Sequence, residues 1–319
     1  MPHLRSILLT ALLVLAPGAV ARDPIVIAHR GASGFLPEHT LEAYAMAYAL
    51  GADYVEPDLV LTADGVFIAL HDHTLNATTN VAELFPDRVR PDGSWYAIDF
   101  ALAEIRRLDV HERTRPDGTP ALPGRFPMGA ARFEVPTLAE VIELVQGLNL
   151  TTGRQVGIYP EIKRPAWHAA QGQPMEAALL GVLAAYGYEG RDARVYVQSF
   201  EAESLRTMRI ELGSDLRLVM LVNQPAQVTR AALDEWASFA DGIGPAKALV
   251  EAFPELVRAA HERGMVVHPW TFRADAVPPR YASVDDELLQ FFDGYAADGV
   301  FTDFVEDAVR VLQAMRLRR

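Results

Sequence analysis

Short apolar runs alternate with amphipathic stretches along most of the chain. The runs are typical of buried parallel strands and lie at Ile25–Gly31, Tyr54–Leu61, Val156–Lys163, Val195–Phe200, Leu216–Val222, Ala240–Gly244, Met265–Phe272 and Gly299–Asp303. Helical patterns lie at Thr40–Leu50, Thr137–Leu148, Pro174–Tyr186, Ala202–Leu212, Pro225–Ala237, Ala246–Arg263, Val284–Asp298 and Phe304–Leu317. Strands that alternate with helices over about 250 residues predict a parallel (β/α)8 TIM barrel. An open doubly wound sheet is the alternative, although no glycine-rich dinucleotide fingerprint follows the first run.

One long segment, residues 73–133, interrupts this alternation. It contains two Pro-Asp-Gly turns and the aromatic pair Trp95-Tyr96. Barrel loops are usually a few residues long, so we expect residues 73–133 to form an inserted cap subdomain within one domain of residues 22–319. The run Phe67–Leu70 follows a turn at Asp64-Gly65 and is predicted to form a hairpin with the second strand. This hairpin would place His71 beside the strand ends.

The first 21 residues have the pattern of an export signal. Arg5 precedes the apolar run Ile7–Ala16, and Ala19-Val20-Ala21 fits a small-x-small cleavage site. The run is shorter than the roughly 20 residues that span a bilayer. The chain has no cysteine for a disulfide or a lipid anchor. We therefore expect cleavage after Ala21 and a soluble periplasmic protein.

The charge of the chain excludes two classes of partner. The formal charge is −13, and loss of residues 1–21, which hold Arg5 and no acidic residue, makes it −14. Such an acidic protein is a poor match for nucleic acid or for an anionic membrane surface, so we expect neither as a stable partner. A small-molecule substrate fits better. If that substrate is an anion, a local cation and a few basic side chains must bind it.

Three short polar clusters end or interrupt the strand-like runs. They are His29-Arg30-Gly31, Glu56-Pro57-Asp58 and His71-Asp72. Strand side chains alternate between faces, so Glu56 and Asp58 point the same way, and their charges require a cation or a shared proton between them. The imidazoles of His29 and His71 are suited to proton transfer near neutral pH. This combination indicates metal-assisted chemistry on a phosphate ester.

More polar side chains lie at the predicted carboxyl ends of strands, where barrel enzymes place their active sites. They are Glu161, Lys163, Gln198, His268, Trp270 and Asp303. A buried charge without a partner would cost several kcal/mol, so their recurrence at one rim predicts a shared site. Trp270 is expected in the wall of the substrate pocket. The sequence does not decide whether His268 lies at the rim or in the core. His39, His111, His168 and His261 are interpreted as structural or solvent-facing.

Taken in order, these residues make the chain resemble the glycerophosphodiester phosphodiesterases. The matching segments are His29–Gly31, Pro37–Thr40, Glu56–Asp58, Thr62, Asp64-Gly65, His71-Asp72, Glu161–Lys163, Gln198–Phe200, Trp270-Thr271 and Gly299–Asp303. The resemblance covers nearly the whole mature chain and is closest to the periplasmic branch, whose pattern also fits Phe85–Asp87 and Tyr96–Phe100. Two positions depart from the common pattern: His39, where many relatives have asparagine, and Pro57. Because Pro57 lacks an N–H, we expect the second strand to lose or redirect one ladder bond there.

The resemblance implies a metal-dependent phosphoric diester hydrolase of glycerol and lipid metabolism. Its substrates would be glycerophosphodiesters such as glycerophosphocholine and glycerophosphoethanolamine, and its products sn-glycerol 3-phosphate and an alcohol. The cation would bind Glu56, Asp58 and Glu161, with Ca²⁺ favoured and Mg²⁺ the alternative. The acid/base pair would be His29 and His71.

The resemblance also implies that Arg30 and Lys163 contact the phosphate, and we expect Gln198 and Trp270 to contact the substrate from the same rim. The sequence leaves open which histidine is the acid and which is the base. It also leaves open the preferred headgroup alcohol and whether the protein is a monomer or a homodimer. The attacking oxygen is also open between water and a substrate hydroxyl that forms a cyclic phosphate.

Two other functions compete with this one. A phospholipase of the same barrel group would act on intact lipid and would need an exposed apolar or basic surface, which the acidic composition disfavours. A binding protein that has lost turnover would tolerate a broken site, whereas every expected catalytic position is occupied here.

Overall fold

The computed structural model describes residues 23–318. The predicted signal peptide and its cleavage site after Ala21 lie outside this range. The strands are β1 (Ile25–His29), β2 (Tyr54–Glu56), β3 (Asp58–Leu61), β4 (Phe67–Ala69), β5 (Gly157–Ile158), β6 (Glu161–Ile162), β7 (Tyr196–Ser199), β8 (Arg217–Val222), β9 (Gly242–Pro245), β10 (Val266–Val267) and β11 (Gly299–Thr302). Apart from β4, which is antiparallel to β3, these strands pair in parallel.

The parallel strands close into a barrel. One sheet runs β11-β1-β2-β5 and the other β10-β9-β8-β7-β6-β3-β4. The two sheets are continuous because β2 leads into β3 and β5 leads into β6 along the chain, each pair separated by a short interruption. A bridge between Ile158 and Val195 joins β5 to the start of β7, and one between Phe272 and Thr302 joins the path of β10 to β11. The predicted (β/α)8 barrel is confirmed, and the doubly wound alternative is wrong.

The helices follow the predicted order with two corrections. They are α1 (Leu41–Leu50), α2 (Val81–Leu84), α3 (Leu102–Ile105), α4 (Leu138–Thr152), α5 (Pro165–Ala170), α6 (Glu176–Ala185), α7 (Ala202–Arg206), α8 (Arg230–Trp236), α9 (Lys247–Ala252), α10 (Leu256–His261), α11 (Val284–Leu289) and α12 (Val305–Arg316). The single helix predicted over 225–237 is wrong, because Thr229 has an extended backbone (φ −74°, ψ 159°) between a 3-10 turn at Pro225–Val228 and α8. The single helix predicted over 246–263 is also wrong. Phe253 has a non-helical backbone (φ −132°, ψ 72°) because the helical region is disfavoured for a residue before a proline, here Pro254. Within the described range no helix is both long and apolar enough to cross a bilayer.

Aromatic side chains fill the inside of the barrel. Tyr159 stacks on Tyr196 with ring centroids 4.8 Å apart and meets Phe301 edge to face at 5.0 Å. His268, left open by the sequence, belongs to this core: it is buried, and its Nδ1 lies 3.0 Å from the Tyr159 hydroxyl. Burial lowers the pKa of His268 to about 4. A second and larger core lies between the strands and the surrounding helices.

Residues 73–133 have a small core of their own beside the barrel. Leu75, Phe100 and Ile105 are buried there together with Val60 and Ile68 of the β3–β4 hairpin. The hairpin is formed as predicted, with Leu61 opposite Phe67. The inserted segment is therefore anchored on the hairpin that carries the chain from the second barrel strand to His71.

Candidate active site and metal centre

The predicted site residues of the first four barrel strands come together because their strands pair in register. His29 ends β1 and lies opposite Glu56, the last residue of β2. Asp58 begins β3 and lies opposite Glu161 at the start of β6, which in turn lies opposite Gln198 of β7. The strand ends thus form one continuous polar rim. This is the edge of the barrel at which the sequence predicts a site.

Prolines interrupt the strands at this rim without opening the barrel. Pro57 separates β2 from β3, and Pro160 lies between β5 and β6. Each lacks an N–H, but the carbonyl of Pro57 accepts from the Glu161 N–H and that of Pro160 from the Gln198 N–H, both at 2.9 Å. The expected local loss of ladder bonding at Pro57 is confirmed.

Three buried carboxylates converge at the centre of the rim. One oxygen each of Glu56, Asp58 and Glu161 lies within 4.8 Å of the others. Burial, and then repulsion from the other two carboxylates, raises the pKa of Glu56 well above its usual range. Burial also raises the pKa of Glu161 to about 8, although Lys163 opposes the shift. Three such groups are costly to keep ionised together unless positive charge lies between them.

The donor set fits a hard divalent cation. The three residues offer oxygen ligands only, which suits Ca²⁺ or Mg²⁺. Asp58 Oδ1 is buried and accepts no hydrogen bond from residues 23–318, so it is free to act as a ligand. Lys163 Nζ lies 2.8 Å from Glu161 Oε1 and 3.5 Å from Asp58 Oδ1. Lys163 therefore already supplies part of the positive charge that the cluster needs.

His39 holds the metal-ligand candidate Asp58 in place. Its Nε2 lies 2.9 Å from Asp58 Oδ2, and its Nδ1 lies 2.7 Å from the Tyr44 hydroxyl. Burial lowers the pKa of His39, so the neutral ring donates to Asp58 through Nε2 and accepts from Tyr44 through Nδ1. The interpretation of His39 as structural or solvent-facing missed this contact. His39 lies within Pro37–Thr40, one of the segments that match the family pattern, and this location could have indicated a role at the site.

Glu56 is held by groups on either side of it. Gln198 Nε2 donates to Glu56 Oε1 at 3.0 Å, and the Arg30 N–H donates to Oε2 at 2.8 Å. The sequence places Gln198 at the substrate, whereas the structure shows its amide positioning a carboxylate. Gln198 also lines the cavity described below.

The His-Arg-Gly turn brings Arg30 into the site. Arg30 and Gly31 both have left-handed backbones (φ 60° and 86°), and a Cβ on Gly31 would lie 2.8 Å from the backbone of Ala43 in α1. Glycine is required at position 31 for this close approach. The Arg30 guanidinium reaches Asp58 Oδ2 at 3.3 Å and Glu38 Oε2 at 3.1 Å. It therefore lies at the edge of the carboxylate cluster, with a face toward the cavity.

His29 is bound to an aspartate from the last barrel strand. Its Nδ1 lies 2.7 Å from Oδ1 of Asp303, which directly follows β11. Because the carboxylate accepts the Nδ1 proton, the neutral ring leaves Nε2 free to accept one. Burial, and then the charge of Arg30, lowers the pKa of His29 to about 4.

His71 has the same arrangement with its sequence neighbour. Its Nδ1 lies 2.7 Å from Asp72 Oδ1, and its side chain is 30% exposed at the cavity. Burial and the nearby Arg30 lower its pKa, whereas Asp72 acts to raise it. Both histidines are therefore neutral in the free protein at pH 7, each with Nε2 available.

Two adjoining cavities open above the rim. The first, of about 380 Å³, is lined by His29, by Glu56 and Glu161, and by the apolar side chains of Leu221, Trp270 and Phe301. The second, of about 560 Å³, is polar. The residues lining both cavities are His71, Glu161, Lys163 and Phe200. The structure thus places Trp270 in a cavity wall, where its Nε1 donates to the Gly244 carbonyl at 2.7 Å.

The inserted segment contributes two arginines that the sequence analysis missed. Arg113 Nη1 lies 2.6 Å from Asp72 Oδ2, and Arg125 Nη2 lies 2.7 Å from Asp303 Oδ2. Both arginines come from irregular parts of residues 73–133, which have no periodic pattern that could have marked them.

Comparison with known sequences places these residues in a family. Residues 29–307 match the model of the Glycerophosphoryl diester phosphodiesterase family. A glycerophosphodiester phosphodiesterase of Haemophilus influenzae is 38% identical over 331 residues, covering 92% of this chain and 91% of the relative. One of Treponema pallidum is 32% identical over 329 residues, covering 92% of each chain.

Solved structures share the fold over nearly the whole chain. A crystal structure of a protein from Silicibacter pomeroyi, described as a glycerophosphoryl diester phosphodiesterase, superposes with a TM-score of 0.71 at 29% identity, covering 92% of this chain and 94% of that one. A phosphodiesterase of Oleispira antarctica, solved with its product sn-glycerol-3-phosphate, superposes with a TM-score of 0.67 at 22% identity, covering 91% and 97%.

Proposed function

The chain belongs to the glycerophosphoryl diester phosphodiesterase family, and we propose that it hydrolyses glycerophosphodiesters to sn-glycerol 3-phosphate and an alcohol. The observation that carries this proposal is the meeting, at one cavity rim, of a buried carboxylate cluster with two histidines. Each histidine is bound through Nδ1 to an aspartate, and so each presents Nε2 for proton transfer.

Glu56, Asp58 and Glu161 would hold a divalent cation, and we propose that it is Ca²⁺, with Mg²⁺ the alternative. The three residues offer only oxygen ligands, which both ions accept. Calcium is favoured because it tolerates irregular coordination, whereas magnesium demands a near-ideal octahedron. When bound, the cation would supply the positive charge that stabilises negative charge developing on the phosphoryl oxygens. Arg30 and Lys163, beside the cluster, would add direct hydrogen bonds to the phosphate.

The two cavities suggest how the substrate lies. His29 lines the cavity with the apolar wall, whereas His71 lines both cavities. We infer that the glycerol phosphate half occupies the first cavity and the departing alcohol extends into the second. His29 then takes the proton from the attacking oxygen, and His71 gives one to the alcohol as it leaves. The phosphate, once bound beside His71, favours the charged form of that histidine.

The direct test is a panel of substrates. The protein is incubated with glycerophosphocholine, glycerophosphoethanolamine or micellar phosphatidylcholine, and released sn-glycerol 3-phosphate and alcohol are quantified. We expect rapid cleavage of the two deacylated substrates, because His73 and Thr74 of the inserted segment line the second cavity and limit the space beside His71. Comparable cleavage of the phospholipid would support the phospholipase instead. Tight binding without turnover would support a binding protein.

We also propose that the protein is exported and loses residues 1–21. The charged start, the apolar run and the Ala-Val-Ala site support this. Expression in a Gram-negative host, followed by N-terminal sequencing of the periplasmic fraction, should give a chain that begins at Arg22. A full-length protein retained in the cytoplasm would contradict it.

A further inference from the structure

Each histidine of the site is connected to the inserted segment through its aspartate. Asp72 uses Oδ1 for His71 Nδ1 and Oδ2 for Arg113 Nη1, at 2.7 and 2.6 Å. Asp303 uses Oδ1 for His29 Nδ1 and Oδ2 for Arg125 Nη2, both at 2.7 Å. In both cases, one carboxylate oxygen orients the imidazole while an arginine fixes the other oxygen. A carboxylate held at both oxygens cannot rotate away from the ring that it orients.

Arg113 is itself fixed by a second carboxylate. Its Nη2 and Nε bind the two oxygens of Glu38 at 2.6 and 3.1 Å, which is a bidentate pair. Glu38 follows the His-Arg-Gly turn and also binds Arg30. The planar fork of Arg113 therefore spans Asp72 and Glu38 at once, which a lysine cannot do.

Arg125 lies deeper and has several partners. Its side chain is 5% exposed, and it donates to the Ser33 carbonyl at 3.0 Å and to Asp275 at 2.9 Å as well as to Asp303. Asp303 Oδ2 also binds Arg273 Nε at 2.7 Å. The aspartate of His29 thus has two arginines, whereas Arg113 is the arginine that binds the aspartate of His71.

The inserted segment holds these arginines by its own core. The Val110 N–H bonds to the Phe133 carbonyl at 2.9 Å, and both side chains are buried. The Thr114 N–H bonds to the Ala77 carbonyl at 2.8 Å, next to Arg113. Packing and hydrogen bonds within residues 73–133 therefore hold the backbone that carries Arg113, whereas its guanidinium is held by Glu38 and Asp72.

We propose that the inserted segment is a positioning element for both histidines, acting through Arg113 on His71 and through Arg125 on His29. This inference rests on the proposed function, because it assigns His71 to the departing alcohol. It gives residues 73–133 a part in turnover in addition to the predicted role of a cap. Arg113 and Arg125 are positioning residues that act through Asp72 and Asp303.

The test compares Arg113→Met and Arg125→Met with a matched control, Arg106→Met. Arg106 also ties the inserted segment to the barrel, through Glu140 at 2.5 Å, and is half-buried like Arg113, but it contacts neither Asp72 nor Asp303. Two substrates are used with calcium-loaded protein. These are glycerophosphocholine, whose alcohol needs a proton to leave, and a glycerophosphodiester of 4-nitrophenol, whose phenolate leaves without one.

For Arg113→Met we expect kcat on glycerophosphocholine to fall about 10- to 100-fold, as for other groups that orient a working histidine, with KM nearly unchanged. On the nitrophenyl ester the loss should shrink to about threefold or less, since that substrate does not need His71 as an acid. Arg125→Met should lower kcat on both substrates, and by less than Arg113→Met on glycerophosphocholine because Arg273 still holds Asp303. Arg106→Met should resemble wild type on both.

An equal loss on both substrates for Arg113→Met, or a loss in Arg106→Met as large as in Arg113→Met, would overturn the inference. If Arg113→Met fails to fold, Arg113→Lys keeps the charge and should show the same substrate dependence. Wild-type protein is measured first. Its failure to cleave either substrate would count against the proposed function, whereas normal wild-type turnover with unaffected arginine variants would count against this inference alone.

Discussion

Replacing Glu161 with glutamine should stabilise the metal-free protein while abolishing activity. The pKa of Glu161 is raised from 4.5 to about 8 in the folded protein. A carboxyl whose folded pKa is raised contributes stability that is complete below pH 4.5 and is lost as the pH rises through 8. At pH 7 this loss is about 3 kcal/mol, at 1.36 kcal/mol per pKa unit. Glutamine has nearly the same shape, can accept the Lys163 hydrogen bond, and carries no charge to repel Asp58.

The assay is urea unfolding at pH 7 in EDTA and in excess calcium. We expect Glu161→Gln to be about 3 kcal/mol more stable than wild type in EDTA, and calcium at 100 times its Kd to add about 2.7 kcal/mol to the wild type but little to the variant. Glu287→Gln is the matched control, since Glu287 is also buried and paired with a lysine (Lys247, 2.6 Å) but lies outside the cluster. It should keep the full calcium response. A Glu161→Gln variant that is less stable than wild type in EDTA would refute the reasoning.

Three further predictions follow from the same geometry. His29→Ala and His71→Ala should each lower kcat on glycerophosphocholine by about 10²- to 10⁴-fold, measured as glycerol 3-phosphate release; near wild-type turnover would remove that residue from the mechanism. His39→Ala should weaken calcium binding by about 10- to 100-fold in a calorimetric titration, because Asp58 loses its 2.9 Å partner, and unchanged affinity would show that the contact is dispensable. The pKa of buried His268 is lowered from 6.5 to about 4, so its contribution to stability is present above pH 6.5 and lost as the pH falls through 4. Between pH 7 and 4 this loss is about 3 kcal/mol, and a His268→Gln variant whose unfolding free energy has the same pH dependence as wild type would contradict it.

Much of the fold and of the polar rim could be predicted from the sequence because both depend on local periodicity. Apolar runs with helical stretches between them predict the barrel, and a parallel barrel aligns the ends of its strands. His29, Glu56 and Glu161 were therefore predictable from their positions alone, since pairing in register brings them together. Pro57 changed the strand only locally, because its carbonyl still pairs.

The contacts that the sequence did not show join segments far apart in the chain. Arg113 and Arg125 lie in irregular backbone, where neither spacing nor hydrophobic period reveals a partner. His39, whose backbone is left-handed (φ 64°), contacts Asp58 on a different strand, a pairing that no local pattern indicates. The break before Pro254 was visible in the sequence, but the apolar pattern on either side suggested one helix. Here the local effect of proline outweighed the periodicity.

The most direct test of the central claim measures turnover of glycerophosphocholine by EDTA-stripped protein before and after calcium is added back. We predict no detectable release of sn-glycerol 3-phosphate in chelator and full recovery with calcium. We also predict that an Asp58→Asn protein, in which one ligand of the cluster is neutralised, does not recover at the same calcium concentration. Undiminished turnover in chelator, or full calcium-restored activity in Asp58→Asn, would contradict the assignment of the carboxylate cluster as the metal centre of this enzyme.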